Sequence, residues 1–177
     1  MKVKVKYTND LARELYLKAS NNKSDKPFKT YERDFCYDVV ATSCEEIAPN
    51  IYKYGLGLAF QIVRDGWEKV VGCRFCNDYG TTIKIDTNYE NLSIDFRPRS
   101  SIWETGMVLS NSSGTIDEPY RGEVSAVFYH VMPNMPKYEV GDRIGQIKIG
   151  TTSPIDFIEA ELDSTERNEG GYGSTGK

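Results

Sequence analysis

Four short stretches of the 177-residue chain concentrate side chains able to handle an anionic ligand. Arg97-Pro98-Arg99-Ser100-Ser101 sets two guanidiniums beside two hydroxyls just after a strand-like run, and such forks and donors suit phosphate oxygens. Residues 111–123, NSSGTIDEPYRGE, place one carboxylate, Asp117, in an apolar-flanked turn between Gly114 and Gly122. GDRIGQI (141–147) is a turn entering a strand with an arginine and a glutamine. Gly171, Gly176 and Lys177 match the front of the phosphate cradle G-x-x-x-x-G-K, but no Ser or Thr follows the lysine. Taken singly, each stretch has an ordinary structural explanation, because turn glycines and acids occur in any hairpin.

The elements that must position these groups read mostly as strands. KVKVKY (2–7) alternates charged and apolar residues. In NDLARELYLKAS the period changes: Asp10 suits an N-cap, and Leu11, Leu15 and Ala19 fall four apart, which predicts a short helix. The polar 21–30 reads as loop. Strand patterns follow at about 37–41, 55–63, 67–75, 81–86, 92–97, 106–110, 123–131 and 143–149, with CNDYG as a hairpin connection. This succession predicts an all-β sandwich or barrel, a jelly roll among the options. The last stretch, DSTERNEGGYGSTGK, is polar and glycine-rich, with too little apolar surface to order itself by burial. His130, the one histidine, falls in a strand and reads as structural.

Composition narrows the function classes. The length suits one domain with a substantial core. The net charge is −4, with no basic block of the kind that tracks a nucleic-acid backbone, so an anion must be held by a local cluster of cations. No apolar run is long enough for a bilayer span, and the start lacks a signal-peptide core. Cytoplasm, with Cys36, Cys44, Cys73 and Cys76 reduced, is the expected setting. Cys73 and Cys76 form a lone C-x-x-C, weak support for zinc.

In order, the stretches carry a resemblance. CYDVVA (36–41), PRSSI (98–102), NSSGTIDEPYRGEV (111–124), GDRIGQI (141–147) and RNEGGYGSTG (167–176) resemble the five successive motifs of the trimeric dUTPases. One such match is weak, and five in the right order are specific. The resemblance implies the family's β jelly roll over 1–163, with 164–177 a flexible glycine-rich arm that folds over bound nucleotide. It also implies a homotrimer whose sites draw on all three subunits. The implied reaction is hydrolysis of dUTP to dUMP and pyrophosphate.

Residue roles come over position by position from that resemblance. Asp117 matches the aspartate that orients the attacking water, and Tyr120 the tyrosine packed beneath the deoxyribose. Asn111 starts the hairpin whose backbone reads uracil. Arg99, Ser100 and Gln146 match phosphate contacts, with Arg167, Ser174 and Thr175 adding more from the arm. Tyr172 stands where a phenylalanine stacks on uracil, and keeps that stacking face. Asp38 matches the first-motif aspartate, which acts near Mg²⁺ through its water shell, the ion being held mainly by the triphosphate.

Departures from the family pattern are Cys36 and Asn168 in place of glycines. Two segments look added: the helix-like 9–22, and 64–90, which reads as an extra hairpin with Trp67, Tyr79 and Tyr89 exposed. The latter is an elaboration or a surface for a protein partner, since some phage-encoded members also regulate through partners. Two rival readings remain. A dCTP deaminase-like enzyme on the related fold would place an arginine where this chain has Glu104. A nucleotide-binding regulator would act through 64–90.

Overall fold

The computed structural model describes residues 2–63, 91–153 and 155–166. Alternation decides which side chains each strand buries. In β6 (Asn91–Pro98), Ile94 and Phe96 point inward, while Asp95 and Arg97 lie on the outer face. In β9 (Ser125–His130), Ala126, Phe128 and His130 are the buried set. The remaining strands are β1 (Lys2–Tyr7), β2 (Tyr37–Val40), β3 (Ser43–Ala48), β4 (Ile51–Gly55), β5 (Leu58–Val63), β7 (Met107–Leu109), β8 (Gly114–Asp117) and β10 (Arg143–Thr152).

They form two four-stranded sheets, ordered β2-β10-β6-β8 and β3-β4-β9-β7, with β1-β5 as a separate antiparallel pair. Among the described residues the sheets stay open, so the sandwich alternative holds and the barrel does not. Phe96 of one sheet meets Phe128 of the other edge-on at 6.3 Å, and Tyr54 and Tyr138 extend this aromatic core.

Several expectations need correction. The strand expected at 55–63 begins only at Leu58, as β5; β4, which ends at Gly55, is not among the expected strands, and Gly57 between them has a φ of +66° that needs glycine. β3 carries no alternation to betray it, being exposed almost throughout. β8 lies in a stretch that reads as a turn. Helix α1 (Ala12–Ala19) forms, but Asp10 does not cap it; the side-chain oxygen of Asn9 accepts the Ala12 N–H at 2.8 Å. Its buried stripe is Ala12 and Tyr16, and Leu11 is exposed. The expected strands at 67–75 and 81–86, CNDYG and the C-x-x-C lie outside the described residues.

Helix α1 is fastened close to the strand that carries Asp38. The Tyr16 hydroxyl accepts the Val40 N–H at 3.3 Å, and burial pushes that phenol far above its ordinary pKa. Asn9 donates to the Thr42 hydroxyl at 2.9 Å. The added N-terminal segment is thus part of the core. His130 is structural as read, with Nε2 3.0 Å from the Met135 carbonyl and its ring edge-on to Tyr52.

On the outer face of the first sheet, Lys148 of β10 donates to Asp95 at 2.8 Å, and Ser93 adds a second bond of 2.8 Å. Chiefly through Lys148, these hold the Asp95 carboxyl below its usual range. A depressed folded-state pKa contributes stability above the unfolded value, which is lost as pH falls through the folded one. Asp95→Asn should therefore cost about 1 kcal/mol at neutral pH. In urea denaturation across pH, the gap to wild type should hold above about pH 5 and close as the pH drops below about 4.

Candidate functional site

A buried carboxylate needs compensation, and Asp38, 3% exposed on β2, receives it from four directions. Gln146 Nε2 donates to Oδ1 at 2.9 Å, and Arg99 Nε lies 3.7 Å from the same oxygen. Arg143 Nη1 donates to Oδ2 at 3.1 Å, and the Thr30 hydroxyl donates to it at 3.3 Å. The Arg99 and Arg143 side chains stay 28% and 34% exposed, so each is held on Asp38 while remaining partly open to solvent. That arrangement can present cationic N–H groups to phosphate oxygens.

Local backbone geometry makes this cluster. Arg143 and Gln146 are three residues apart, so an ideal strand would send them to opposite faces. The β10–β2 register shifts between Arg143 and Gly145, leaving Ile144 and Gly145 both buried and bringing Arg143 and Gln146 onto Asp38 together. Arg99 sits at the start of a short 3-10 helix (Ser100–Glu104), just past the end of β6, with Ser100 exposed beside it. On the far side of β2, Phe28 and Asp38 exchange backbone bonds of 2.7 and 3.2 Å.

Asp117 belongs to a different place. It ends β8, exposed, opposite Ser93 of β6, at the rim of a small hollow floored by Phe60, Ile62, Ile94 and Val124. A shallower groove of about 210 Å³ adjoins it, lined by Thr115, Asp117, Tyr120, Glu123 and Ser125 among others. The Tyr120 hydroxyl donates to the Glu123 carbonyl at 3.0 Å, and Glu123 Oε1 accepts the Gly57 N–H at 2.8 Å, tying the hairpin to the core. Asn111 lies exposed in the β7–β8 turn beside Ser112, which holds a left-handed φ of +58°. An apolar floor with a carboxylate at its rim suits a flat, partly polar group better than a polyphosphate.

The two places are far apart in one chain. Asp38 and Asp117 occupy opposite edge strands of the β2-β10-β6-β8 sheet, three spacings or about 14 Å apart. The register adds four residues along the strands, from Arg97 opposite Gln146 to Ser93 opposite Asp117, or about 13 Å more. No single phosphorus can touch both groups of one chain.

Asp38, Arg99 and Gln146 thus come together with Ser100 nearby, Asp117 and Tyr120 share the second place, and Asn111 lies exposed in the β7–β8 turn that leads into β8. Arg167, Tyr172, Ser174 and Thr175 lie outside the described residues. Sequence reasoning placed Arg143 in an anion-handling stretch without giving it a role, and it missed Thr30. A strand-period count hides Arg143 behind the bulge, and Thr30 carries no motif signal. Among the described residues no group of three or more His, Cys, Asp or Glu could hold a metal ion, and Cys36 and Cys44 are free thiols.

The architecture is that of the phage dUTPases. Over 99% of both chains it superposes on the dUTPase of Staphylococcus bacteriophage 80alpha solved with dUPNHPP, at a TM-score of 0.61 and 17% identity. The dUTPase of S. aureus phage phi11, described for its species-specific insert, matches at a TM-score of 0.52 and 14% identity over 97% of this chain and 100% of that one. At such identities the likeness is one of fold. In sequence, the dUTPase family model matches residues 76–176, more than half of the chain. The deoxyuridine 5'-triphosphate nucleotidohydrolase of Nautilia profundicola is 34% identical over 118 residues, 66% of this chain and 77% of that one. The Fusobacterium nucleatum enzyme of the same name is 39% identical over 100 residues, 55% of this chain. Only 66% of that relative's length, just under two thirds, is spanned. The chain belongs to the dUTPase family.

The bulge is also a packing constraint. A Cβ on Gly145 would lie 2.2 and 2.4 Å from Phe96 ring atoms and 2.8 Å from the Arg97 carbonyl oxygen. Gly145→Ala should destabilise by about 2–3 kcal/mol, read as a lower urea midpoint, because backbone and a core ring must both move.

Proposed function

We propose that the protein hydrolyses dUTP to dUMP and pyrophosphate. The observation that carries this reading is the convergence of three separate motif segments on one buried carboxylate. Asp38, Arg99 and the Arg143–Gln146 bulge lie far apart in sequence and meet at 2.9 to 3.7 Å. They form a cationic cluster suited to phosphate oxygens, in a member of a family whose relatives bear the nucleotidohydrolase name.

In this reading a water oxygen bonds to the α-phosphorus as the bridging oxygen to the β-phosphorus leaves with pyrophosphate. Asp117 orients the water and takes its proton. Tyr120 supports the deoxyribose, and the backbone around Asn111 reads uracil. Arg99, Ser100 and Gln146 hold phosphate oxygens, with Arg167, Ser174 and Thr175 joining from the 164–177 arm and Tyr172 stacking on the base. Both Asp38 oxygens are already engaged by protein donors, so Asp38 does not fit a direct metal ligand. Mg²⁺ held by the triphosphate would neutralise phosphate charge, and Asp38 would act on it only through water.

The separation of Asp117 from the Asp38 cluster supports a homotrimer in which different subunits supply the two halves of each site. A cytoplasmic setting belongs to the same proposal. No helix among the described residues is long and apolar enough to cross a membrane.

Pyrophosphate release should be fast with dUTP and negligible with dCTP, dTTP or UTP. Asp117→Asn should lower kcat about a thousandfold while dUTP still binds. Ammonia release from dCTP would overturn the reading, as would dUTP binding without hydrolysis. Mixing subunits tests the shared site. Trimers reassembled from equal amounts of Asp117→Asn and Arg99→Ala chains should regain about a quarter of wild-type turnover by random assembly. A mixture no better than its parts would place both residues in one chain's site.

A further inference from the structure

We infer that Thr30 is a positioning residue for the phosphate-binding cluster, acting through Arg143; the inference rests on the dUTP-hydrolysing reading above. The Thr30 hydroxyl accepts from Arg143 Nη1 at 3.2 Å and donates to Asp38 Oδ2 at 3.3 Å, closing a triangle with the 3.1 Å Arg143–Asp38 bond. One hydroxyl can do both, since it holds one donor and two lone pairs. Without it, Arg143 Nη1 keeps one anchor, a single carboxylate oxygen of Asp38, and the guanidinium is free to turn about that point. With it, two anchors define the guanidinium plane and hence the direction of the N–H groups left for phosphate.

The hydroxyl is delivered by a segment built for the purpose. Phe28 is buried and exchanges two backbone bonds with Asp38, so Thr30 follows at a fixed two-residue offset from the carboxylate it serves. Lys29, between them, lies over the Tyr37 ring at 4.9 Å. The chain then turns: the Asp34 carboxylate accepts the Tyr31 N–H at 2.8 Å, and the Asp34 N–H donates to the Tyr31 carbonyl at 3.1 Å. Thr30 therefore sits between a core anchor and a closed turn. It lies in none of the five motif segments.

Thr30→Val keeps the shape and removes the hydroxyl, and Thr30→Ser restores it. Thr30→Val should lower kcat for dUTP about tenfold, the order expected when a phosphate clamp shifts by a fraction of an ångström. The inhibition constant of dUMP, whose base and sugar belong to the distant hairpin, should move less than twofold. Thr30→Ser should return kcat to within about twofold of wild type. A turnover-independent readout separates this inference from the reading beneath it. In nitrogen-15 NMR of the full-length protein, the Arg143 guanidinium signals should show hindered rotation in wild type and Thr30→Ser, and averaging in Thr30→Val. Loss of hindrance and of kcat in the valine variant alone supports the positioning role. Unchanged Arg143 signals in Thr30→Val overturn it, as does equal loss of kcat in both variants. A wild type that shows the hindered Arg143 but releases no pyrophosphate would defeat the hydrolase reading and leave Thr30's hold on Arg143 intact.

Discussion

A carboxylate that is almost wholly removed from water organises this protein. Asp38 can be buried in its position only because cationic and amide donors meet it on both oxygens. Those donors come from the end of β6 and from a bulged β10, and a hydroxyl arrives from a segment that precedes β2. Breaking such a pair by removing one partner leaves an uncompensated buried charge, so the local structure around it is tightly specified. The bulge, the glycine under it and the bridge at Phe28 all serve that one requirement.

The core explains why the arrangement holds its shape. Phe96 lies on the inner face of the strand whose next residues lead to Arg99, and it packs against Phe128 of the opposite sheet. Gly145 must stay small because that ring lies against it. Helix α1 reaches the same neighbourhood from the other side, through Tyr16 on the Val40 backbone. The segment that looked like an addition in sequence therefore braces the strand bearing Asp38. The buried positions are Ala12 and Tyr16, with Leu15 and Ala19 packed partly buried beside them, and of the residues spaced four apart only Leu11 stays exposed.

Much of this was legible in the residues. Strand patterns located β6, β9 and β10, and the five motif segments singled out Asp38, Arg99 and Gln146, which the fold brings together. Three things were hidden for physical reasons. β3 is exposed on both faces, so it has no period to read. The register shift at Arg143 defeats any argument from spacing, because one extra residue reverses the face. Thr30 acts through tertiary contact alone, and a single threonine in a polar loop carries no local signal.

The placement of Asp117 follows from sheet geometry. Strand spacing is fixed by hydrogen bonding, so groups on the two edge strands of a four-stranded sheet cannot be drawn together by side-chain movement. Under the proposed reading, a chain that puts a cationic cluster on one side of the sheet and an apolar hollow with a carboxylate on the other would divide the recognition of an anionic, ring-bearing molecule into halves. In the proposed trimer, rotation about the symmetry axis would bring such halves face to face between copies, with no strain inside either sheet. Under the proposed reaction, the same geometry makes turnover conditional on assembly, because an isolated subunit could hold phosphate or base but could not align a water on the phosphorus between them.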